Sequence, residues 1–476
     1  MKKNSATRLL SLLTEEELRK FSKYLRSPYF NNTPELVVLF EQLRKWHPAY
    51  EEQRIRPHII WKKLKPGTAF STQKYWWMNF KLGSMLEQFM VVEELLGNKQ
   101  ETKKQLIKSY GRRNVHKPFA KETKALLGSF SEQPFQDIQS YASSMWLKHD
   151  YFFSPLTDKY GGAEYSVEDI MDDLDRFYIL AKMRFACEIK NRERIFKKHM
   201  PIELLEECVQ KSSRFVPENP AYLIYRNVLD LFNSDRAQVA FQEVKIMLNR
   251  HHRDLSRQDQ NEILLNLRNY AISQVNKGKF EFASELFQLF KMGIELDLLV
   301  NNGKMSQATY QNIVQVGSQQ KEYEWVEKFI NSHDIYLDEG VRMDNKLMSL
   351  GLLHFEKGEF DNALDYIAER EFASVLYQMI IRITISKIWF EKFLLDKSLA
   401  DLLLSKLETN EKYCRRISSV SEQRREVHLN FILALKFLSN LIINRKSKDE
   451  IRKKMQKYLG ATVNISSKKW LLEKIE

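Results

Sequence analysis

The stretch that decides the fold reads Lys277-Gly278-Lys279-Phe280, and it returns in altered form as Lys357-Gly358-Glu359-Phe360. Small and apolar residues recur in matching frames around both stretches, namely Leu267, Ala271, Ala283 and Phe287 in the first copy and Leu347, Gly351, Ala363 and Ile367 in the second. Glycine permits a tight turn, and small side chains let two antiparallel helices approach closely. Each copy is therefore predicted to be a helical hairpin.

Two weaker copies precede and separate these hairpins. One is degenerate and carries Gln320-Lys321-Glu322-Tyr323 at the turn, and an earlier one fits around Ile224 and Val228 with a different turn. The small or short anchor residues of the four copies lie 43, 43 and 37 residues apart, at Ala240, Ala283, Val326 and Ala363. A single hairpin cannot bury both its faces, so neighbouring hairpins must stack. We therefore predict an α-solenoid over residues 220–370.

These hairpins resemble tetratricopeptide repeats, although their spacing exceeds the 34 residues of the standard repeat. The resemblance implies a concave groove lined by the first helix of each pair, which would bind a peptide or a helix of another protein. The groove lacks the lysine and asparagine arrangement with which some members clamp a C-terminal carboxylate. Its alternative role is packing against flanking helices. The groove candidates are Tyr222, Tyr225, Leu229, Phe232, Leu265, Arg268, Ile272, Val275, Asn276, Gln311, Gln315, Gln319, Asn345, Met348, Leu352 and Phe355.

Composition extends the helical prediction to the whole chain. Among 476 residues there are only 15 glycines and 11 prolines, which argues against a disordered chain and against a turn-rich β protein. We predict an all-α protein with four segments: an N-terminal helical module (1–97), a helical segment leading into the solenoid (98–219), the repeats (220–370) and a C-terminal helical cap (371–476).

The N-terminal module shows clear helix boundaries. Thr14-x-x-Glu17 predicts a capping box, and Thr33 is expected to cap the next helix with Pro34 at its first position. A later helix carries apolar residues in alternating steps of three and four, which is a heptad seam that packs within the chain or pairs with a second copy. The seam residues are Tyr75, Met78, Leu82, Met85, Phe89, Val92 and Leu96.

Positive charge is concentrated at the two ends of the chain. The formal net charge of +13 divides into +11 for residues 1–150, −6 for 151–400 and +8 for 401–476. Basic stretches attract phosphate backbones or acidic partners, and the alternative is a solvated helix face. Tryptophans that lie among lysines near residues 46–81 could stack nucleic-acid bases. The basic candidates are Lys103, Lys104, Lys108, Arg112, Arg113, Lys117, Arg452, Lys453 and Lys454.

Motifs for catalysis, metals and membranes are missing from the sequence. The three cysteines, Cys187, Cys208 and Cys414, form no C-x-x-C pair and are expected to be buried hydrophobes. No phosphate-loop, dinucleotide-binding or zinc-protease motif occurs, so we expect no enzyme, no cofactor and no metal. The most apolar stretch, 427–444, is interrupted by polar residues and is interpreted as a core helix. The protein is therefore expected to be cytoplasmic, without membrane association.

Three phrases, Leu25–Asn31, Leu174–Lys182 and Trp470–Lys474, resemble a family of uncharacterised cytoplasmic Bacteroidota proteins over nearly the whole chain. The resemblance implies the compartment and the helical fold, and it carries no activity. From the repeats we predict a non-enzymatic scaffold that binds a peptide or helix of another protein. The alternative prediction, based on the basic ends, is a regulatory factor associated with nucleic acid or the ribosome.

Overall fold

The computed structural model describes residues 5–50, 55–133, 135–157, 165–196, 198–233, 235–368, 370–372, 374–462 and 464–475. Three quarters of the chain is helical, and the described residues form 23 α-helices and two short 3-10 helices without any β-strand. The predicted all-α class is therefore confirmed.

The α-helices are numbered in chain order. Their bounds are α1 (Ser5–Leu10), α2 (Glu15–Arg26), α3 (Glu35–Arg44), α4 (Pro57–Leu64), α5 (Thr72–Gly97), α6 (Lys99–Arg112), α7 (His116–Ser131), α8 (Ile138–Phe152), α9 (Val167–Phe196), α10 (Leu205–Ser212), α11 (Ala221–Asp230), α12 (Ala237–His251), α13 (Arg257–Asn276), α14 (Glu281–Glu295), α15 (Gln307–Gln319), α16 (Tyr323–His333), α17 (Glu339–Lys357), α18 (Phe360–Ile367), α19 (Val375–Leu395), α20 (Ala400–Arg416), α21 (Glu422–Ile443), α22 (Lys448–Ala461) and α23 (Lys468–Glu473).

Packing divides the chain into two compact units, each described by itself. Unit 1 comprises Met1–Gln133 and Gln139–Phe177, and unit 2 comprises Pro134–Ile138 and Tyr178–Glu476. Helix α9 contributes residues to both units. The four segments predicted from the sequence were defined by sequence patterns, not by contacts between helices, and their boundaries stay predictions.

In unit 1, the capping box at α2 is confirmed. The Thr14 hydroxyl accepts a hydrogen bond from the Glu17 N–H at 3.2 Å, and the Glu17 carboxylate accepts one from the Thr14 N–H at 2.7 Å. These hydrogen bonds lower the pKa of Glu17. The helix N-terminus therefore has two of its orphan donors satisfied by side chains.

The predicted cap of α3 is wrong by one residue. Pro34 already has helical dihedral angles and occupies the N-cap position, and no side chain caps this helix. The hydroxyl oxygen of Thr33 instead accepts a hydrogen bond from Lys81 Nζ at 2.6 Å. Since that oxygen is taken by a lysine from α5, Thr33 joins two helices rather than capping one.

The heptad seam of α5 packs within unit 1. Its residues from Tyr75 to Phe89 are buried in one hydrophobic cluster with Phe21, Phe40 and the other apolar residues of α1 to α4. The seam weakens at its end, where Val92 is half-buried and Leu96 is exposed. The seam therefore serves as the core of unit 1, and a coiled coil with a second chain is not needed to bury it.

Three turns in unit 2 share one backbone conformation. Gly278 and Gly358 have positive φ angles of 88° and 79°, and Lys321 occupies the same place in the degenerate copy with φ 61°. In each turn the next N–H donates back to the carbonyl five residues earlier, at distances of 2.9 to 3.1 Å. This hydrogen bond is the signature of a Schellman ending. The sequence therefore located the turns correctly, even where glycine is replaced.

The helices flanking these turns pack as antiparallel pairs, namely α13 with α14, α15 with α16 and α17 with α18, and α11 pairs in the same way with α12. Consecutive pairs also pack on each other. The closest approach occurs at Gly351 of α17, where a Cβ atom would overlap the Cγ2 methyl of Ile367 in α18 and lie 3.5 Å from the Ala363 carbonyl oxygen. A small residue at this position is therefore required by the packing.

The C-terminal helices α19 to α23 enclose a second large core in unit 2. Phe390, Leu407 and Leu435 are fully buried in it. Leu471 of α23 is also fully buried, and Trp470 packs its ring against Phe390 at a centroid distance of 5.7 Å. Helix α23 therefore packs into this core through Trp470 and Leu471.

Candidate functional site

A cleft of about 710 Å3 opens between α9, α10 and α11, and we call it the Leu229 cleft. Three half-buried apolar side chains, Leu205, Val209 and Leu229, form its floor. Polar and charged residues form the rest of the lining, namely Lys190, Glu206, Gln210, Ser213, Arg226, Asp230 and Asn233. Leu229 is the groove candidate from the sequence that this cleft includes.

The rim of the Leu229 cleft carries charges of both signs. Lys190 pairs with Glu193 at 2.8 Å, and Asp230 pairs with Arg236 at 3.5 Å. The Lys190 bond lowers the pKa of Glu193 to about 2. Arg226 and Glu206, by contrast, have no ion-pair partner within 4 Å among the residues that the structure describes. One cation and one anion are thus left available on the rim.

The groove candidates differ widely in accessibility. Exposed ones can meet a partner, whereas buried ones have no surface to offer in this conformation. Asn276, Gln315 and Gln319 are exposed, and the half-buried candidates are Leu229, Phe232, Leu265, Arg268, Ile272, Val275, Gln311 and Leu352. The buried candidates are Tyr222, Tyr225, Asn345, Met348 and Phe355.

At the C-terminal end of the predicted groove, helix α19 covers the candidates. The Tyr377 hydroxyl oxygen lies 2.7 Å from Gln307 Oε1 and 3.0 Å from Asn345 Oδ1, and its single proton is shared between these two acceptors. Gln311 also donates to Asn345 Oδ1, at 2.8 Å. Met348 and Phe355 belong to an apolar cluster that includes residues of α19. The chain's own next helix thus occupies the surface that the resemblance assigns to a partner.

At the N-terminal end, a buried polar network holds the candidate Tyr225. Its hydroxyl donates to Asp259 Oδ1 at 2.5 Å, and the Ser256 hydroxyl donates to Asp259 Oδ2 at 2.7 Å. Arg184 of α9 lies 3.8 Å from Asp259 and 3.5 Å from Glu262. Burial raises the pKa of both Asp259 and Tyr225. Helix α9 therefore covers this end of the predicted groove.

Sequence reasoning missed a half-buried cation enclosed by aromatic rings, Lys387 of α19. Its ammonium lies 5.3 Å from the centre of the Trp470 ring and 5.8 Å from the rings of Phe355 and Phe431. Burial lowers the pKa of Lys387 to about 8, whereas Glu356, Glu473 and Glu391 act in the opposite direction. A signal was present in the sequence, because Lys387 interrupts an otherwise apolar and small-residue run over 383–390.

The predicted basic residues lie mainly on the surface. Lys103, Lys108, Arg112, Arg113 and Lys117 are exposed in unit 1, and Arg452, Lys453 and Lys454 are exposed on α22 of unit 2. Lys104 differs, since it is half-buried and donates to the Ser143 hydroxyl at 2.9 Å. Lys454 pairs with Glu450 at 2.7 Å.

The tryptophans of unit 1 divide between the core and the surface. Trp61 is buried and donates its indole N–H to the Ala69 carbonyl at 2.9 Å, and Trp46 packs on the edge of the same core. Trp76 and Trp77 are exposed on α5, together with Phe80 one turn further along the helix. The exposed aromatic side chains of α5 can therefore stack on bases, whereas the buried Trp61 cannot.

Other site chemistry is sparse in the described part of the chain. The three cysteines are buried and unpaired, and burial raises their thiol pKa values. No group of three or more histidine, cysteine, aspartate or glutamate side chains among the described residues could hold a metal ion. One described helix, α21, is long and apolar enough to cross a membrane, but its Phe431, Leu435 and Leu438 are buried in the C-terminal core.

No protein-family model, curated protein or solved structure matches this chain. The resemblances to tetratricopeptide repeats and to the Bacteroidota family therefore stay predictions based on the residues quoted above.

Proposed function

We propose that this protein is a non-enzymatic scaffold that holds a peptide or helix of a partner protein in the Leu229 cleft. In this proposal, α11 to α18 form a short solenoid of tetratricopeptide-like hairpins. The observation that carries the proposal is the cleft itself, an open space of about 710 Å3 with an apolar floor and unpaired charges of both signs on its rim.

The chemistry of the cleft suits an amphipathic segment. Apolar side chains of a bound helix would bury against Leu229, Val209 and Leu205, because helix-in-groove recognition uses apolar anchors spaced three to four residues apart. An acidic and a basic residue flanking those anchors would pair with Arg226 and Glu206. Such rim charges contribute chiefly to the rate and selectivity of association, whereas the buried apolar contacts provide most of the affinity.

The proposed partner binds in the cleft between α9, α10 and α11 rather than along the predicted groove, whose N-terminal end α9 covers. Helix α19 already occupies the C-terminal end through Tyr377 and its apolar neighbours. Tyr225 and Phe355 are buried, so substituting them would test folding instead of binding. A useful probe must therefore be accessible and must line the cleft.

The test compares Leu229→Asp with Leu402→Asp, an exposed leucine of α20 outside the cleft. Partners are isolated from the native host after nuclease treatment, and the strongest one is then purified for calorimetry. We expect the wild type and Leu402→Asp to bind it equally and Leu229→Asp to lose at least about tenfold in affinity. Equal binding by all three proteins, with circular dichroism unchanged, would refute the cleft as the binding site.

A second candidate function, nucleic-acid binding, is supported by the exposed aromatic side chains of α5. Trp76 and Phe80 lie one turn apart, and Lys81 lies 5.0 Å from the ring of the neighbouring Trp77. Bases stacked on these rings would contribute about 1–3 kcal/mol each, and lysine–phosphate contacts would make binding strongly salt-dependent.

The assay is a salt titration of binding to generic single-stranded RNA and DNA. Trp76→Ala is the test variant, and Trp146→Ala, which removes an exposed tryptophan of α8 in the same unit, is its control. Selective loss with Trp76→Ala is the expected result. Undetectable binding at low ionic strength, or binding that salt does not weaken, would reject this function.

A further inference from the structure

A second concave site lies between α19 and α20, and its lining is strongly basic. This pocket has a volume of about 510 Å3 and is lined by Val375, Arg382, Thr409, Lys412, Tyr413, Arg416, Ile417 and Ser419. Three of these residues are cations, three carry hydroxyl groups, and none is acidic. A volume of this size falls within the range of about 300–1,000 Å3 that is usual for small-molecule sites.

The sequence places four of the lining residues on one face of α20. Thr409, Lys412, Tyr413 and Arg416 follow each other at helical spacings of three, one and three residues, which brings them onto adjoining turns. Val375 and Arg382 are two turns apart on α19 and therefore share a face as well. Residues of both faces line the pocket.

Arg382 is held in place by the protein before any ligand arrives. Its Nη1 donates to Asn410 Oδ1 at 3.0 Å, and its guanidinium lies over the Tyr413 ring at 4.0 Å. Asn410 is itself buried and fixed, because its amide donates to Ser386 Oγ at 2.7 Å and to the Arg382 carbonyl at 3.1 Å. The Nε atom of Arg382 is buried and has no hydrogen-bond partner. A buried donor without an acceptor is costly, and it leaves the hydrogen-bonding capacity of this guanidinium incompletely used.

The cations of the pocket are also free of internal ion pairs. Arg382, Lys412 and Arg416 have no carboxylate within 4 Å among the described residues, although α20 contains acidic side chains. Glu411 is occupied on another face, where it pairs with Arg415 at 2.9 Å and with Lys436 at 3.5 Å. The positive charge of the pocket is therefore left uncompensated by the protein.

We propose that the pocket between α19 and α20 binds a small phosphate-bearing molecule. Arginine recognises phosphate oxygens through its planar fork of donors, and lysine adds a compact positive charge. The N-terminus of α19 adjoins the pocket at Val375, and no side chain caps it, so its first N–H groups add partial positive charge. Val375 and Ile417 offer apolar surface to the remainder of the ligand. This site is distinct from the Leu229 cleft and does not depend on the function proposed there.

The test uses the full chain with three probes: pyrophosphate, adenosine 5′-monophosphate and adenosine. Thermal stabilisation and calorimetry are expected to show binding of the two phosphate compounds and none of adenosine, with affinity falling steeply as salt is added. Two results would overturn the proposal: an affinity for adenosine equal to that for adenosine monophosphate, or no response to either phosphate compound at millimolar concentration.

Matched variants locate the site. Lys412→Gln and Arg416→Gln are each expected to weaken binding about tenfold, since each removes one charged hydrogen-bond donor to the ligand. Arg415→Gln, the control, removes the same charge from the neighbouring position on α20 and should leave affinity within about twofold. Both test residues are exposed, so the fold is expected to tolerate these changes.

Two further outcomes would overturn the assignment. Equal losses with Arg415→Gln would show nonspecific attraction to a basic surface rather than a site. Tighter binding of a phosphoserine peptide than of adenosine monophosphate would assign the pocket to a phosphorylated protein instead of a small molecule.

Discussion

The close approach of α17 and α18 makes Gly351→Ala a sharp test of how the last hairpin is built. Gly351 lies within α17, where alanine would normally gain about 1 kcal/mol over glycine in helix propensity. Its new methyl group, however, would overlap the Cγ2 methyl of Ile367 and lie 3.5 Å from the Ala363 carbonyl oxygen. Both neighbouring residues are buried.

The overlap should outweigh the propensity gain. Ile367 is β-branched and stiff at χ1, and the other neighbour is backbone, so relief requires α18 to move away from α17. Overpacking of this kind costs about 1–3 kcal/mol. Subtracting the propensity term, we expect Gly351→Ala to lower the free energy of unfolding by up to about 2 kcal/mol.

Urea unfolding followed by circular dichroism measures the change, and hydrogen exchange of α17 and α18 locates it. Gly340→Ala is the control on the same helix, because a Cβ there has no neighbour within 4 Å. It should be neutral or stabilising. In an Ile367→Ala background, which removes the overlapping methyl, Gly351→Ala should become stabilising, and the double-mutant cycle isolates the contact. If Gly351→Ala proves as harmless as Gly340→Ala in the wild-type background, the close approach is wrong.

Three further predictions follow from the structure of unit 2. Lys321→Gly should raise the free energy of urea unfolding by about 1 kcal/mol, because Lys321 holds a positive φ of 61° where two other copies have Gly278 and Gly358; an unchanged free energy would contradict a left-handed residue at this turn. Asp259→Asn should cost about 1–3 kcal/mol, since buried Arg184 loses one of its two carboxylate neighbours and keeps only Glu262, and a loss below about 1 kcal/mol in urea unfolding would argue against the ion pair. Burial lowers the pKa of Lys387 to about 8 from its ordinary 10.5, so the unfolded chain binds the extra proton between these values and this group adds stability as the pH rises through them. Lys387→Met should therefore be more stable than wild type at pH 7, by up to about 3 kcal/mol, and the advantage should vanish near pH 10.5; a pH-independent difference would refute the lowered pKa.

Much of the local structure was predictable from the sequence. The capping box at Thr14 and Glu17 and the turns at Gly278 and Gly358 follow from interactions between residues close together in the chain. The α5 seam was also correct in its period, because apolar residues at helical spacing must face a core. The predicted cap at Thr33 was wrong: no side chain caps α3, and the Thr33 hydroxyl instead accepts a hydrogen bond from Lys81 of the distant helix α5, a contact that local reasoning does not reveal.

The candidate site was only partly predictable. Leu229 was identified as a surface candidate and lines the cleft, whereas Tyr225 and Asn345 were identified with it and are buried. The periodic spacing of apolar residues shows that one face of a helix is buried. It does not show whether another helix of the same chain or a partner protein packs on that face. The pocket at Arg382 corresponds to no motif in the sequence, because its residues come mainly from two helices and are brought together only by the packing of those helices.

The sequence by itself determined that this protein is helical, where its hairpins turn and which faces of its helices are apolar. These properties depend on backbone preference and on side-chain spacing within a few turns. Only the tertiary structure decided that α9 and α19 close the two ends of the predicted groove, that Arg184 is buried, and that Arg382, Lys412 and Arg416 meet in one pocket. Those facts depend on contacts between segments that are distant in the chain. The free energy of such contacts decides which helices pack together, and a local sequence pattern does not reveal it.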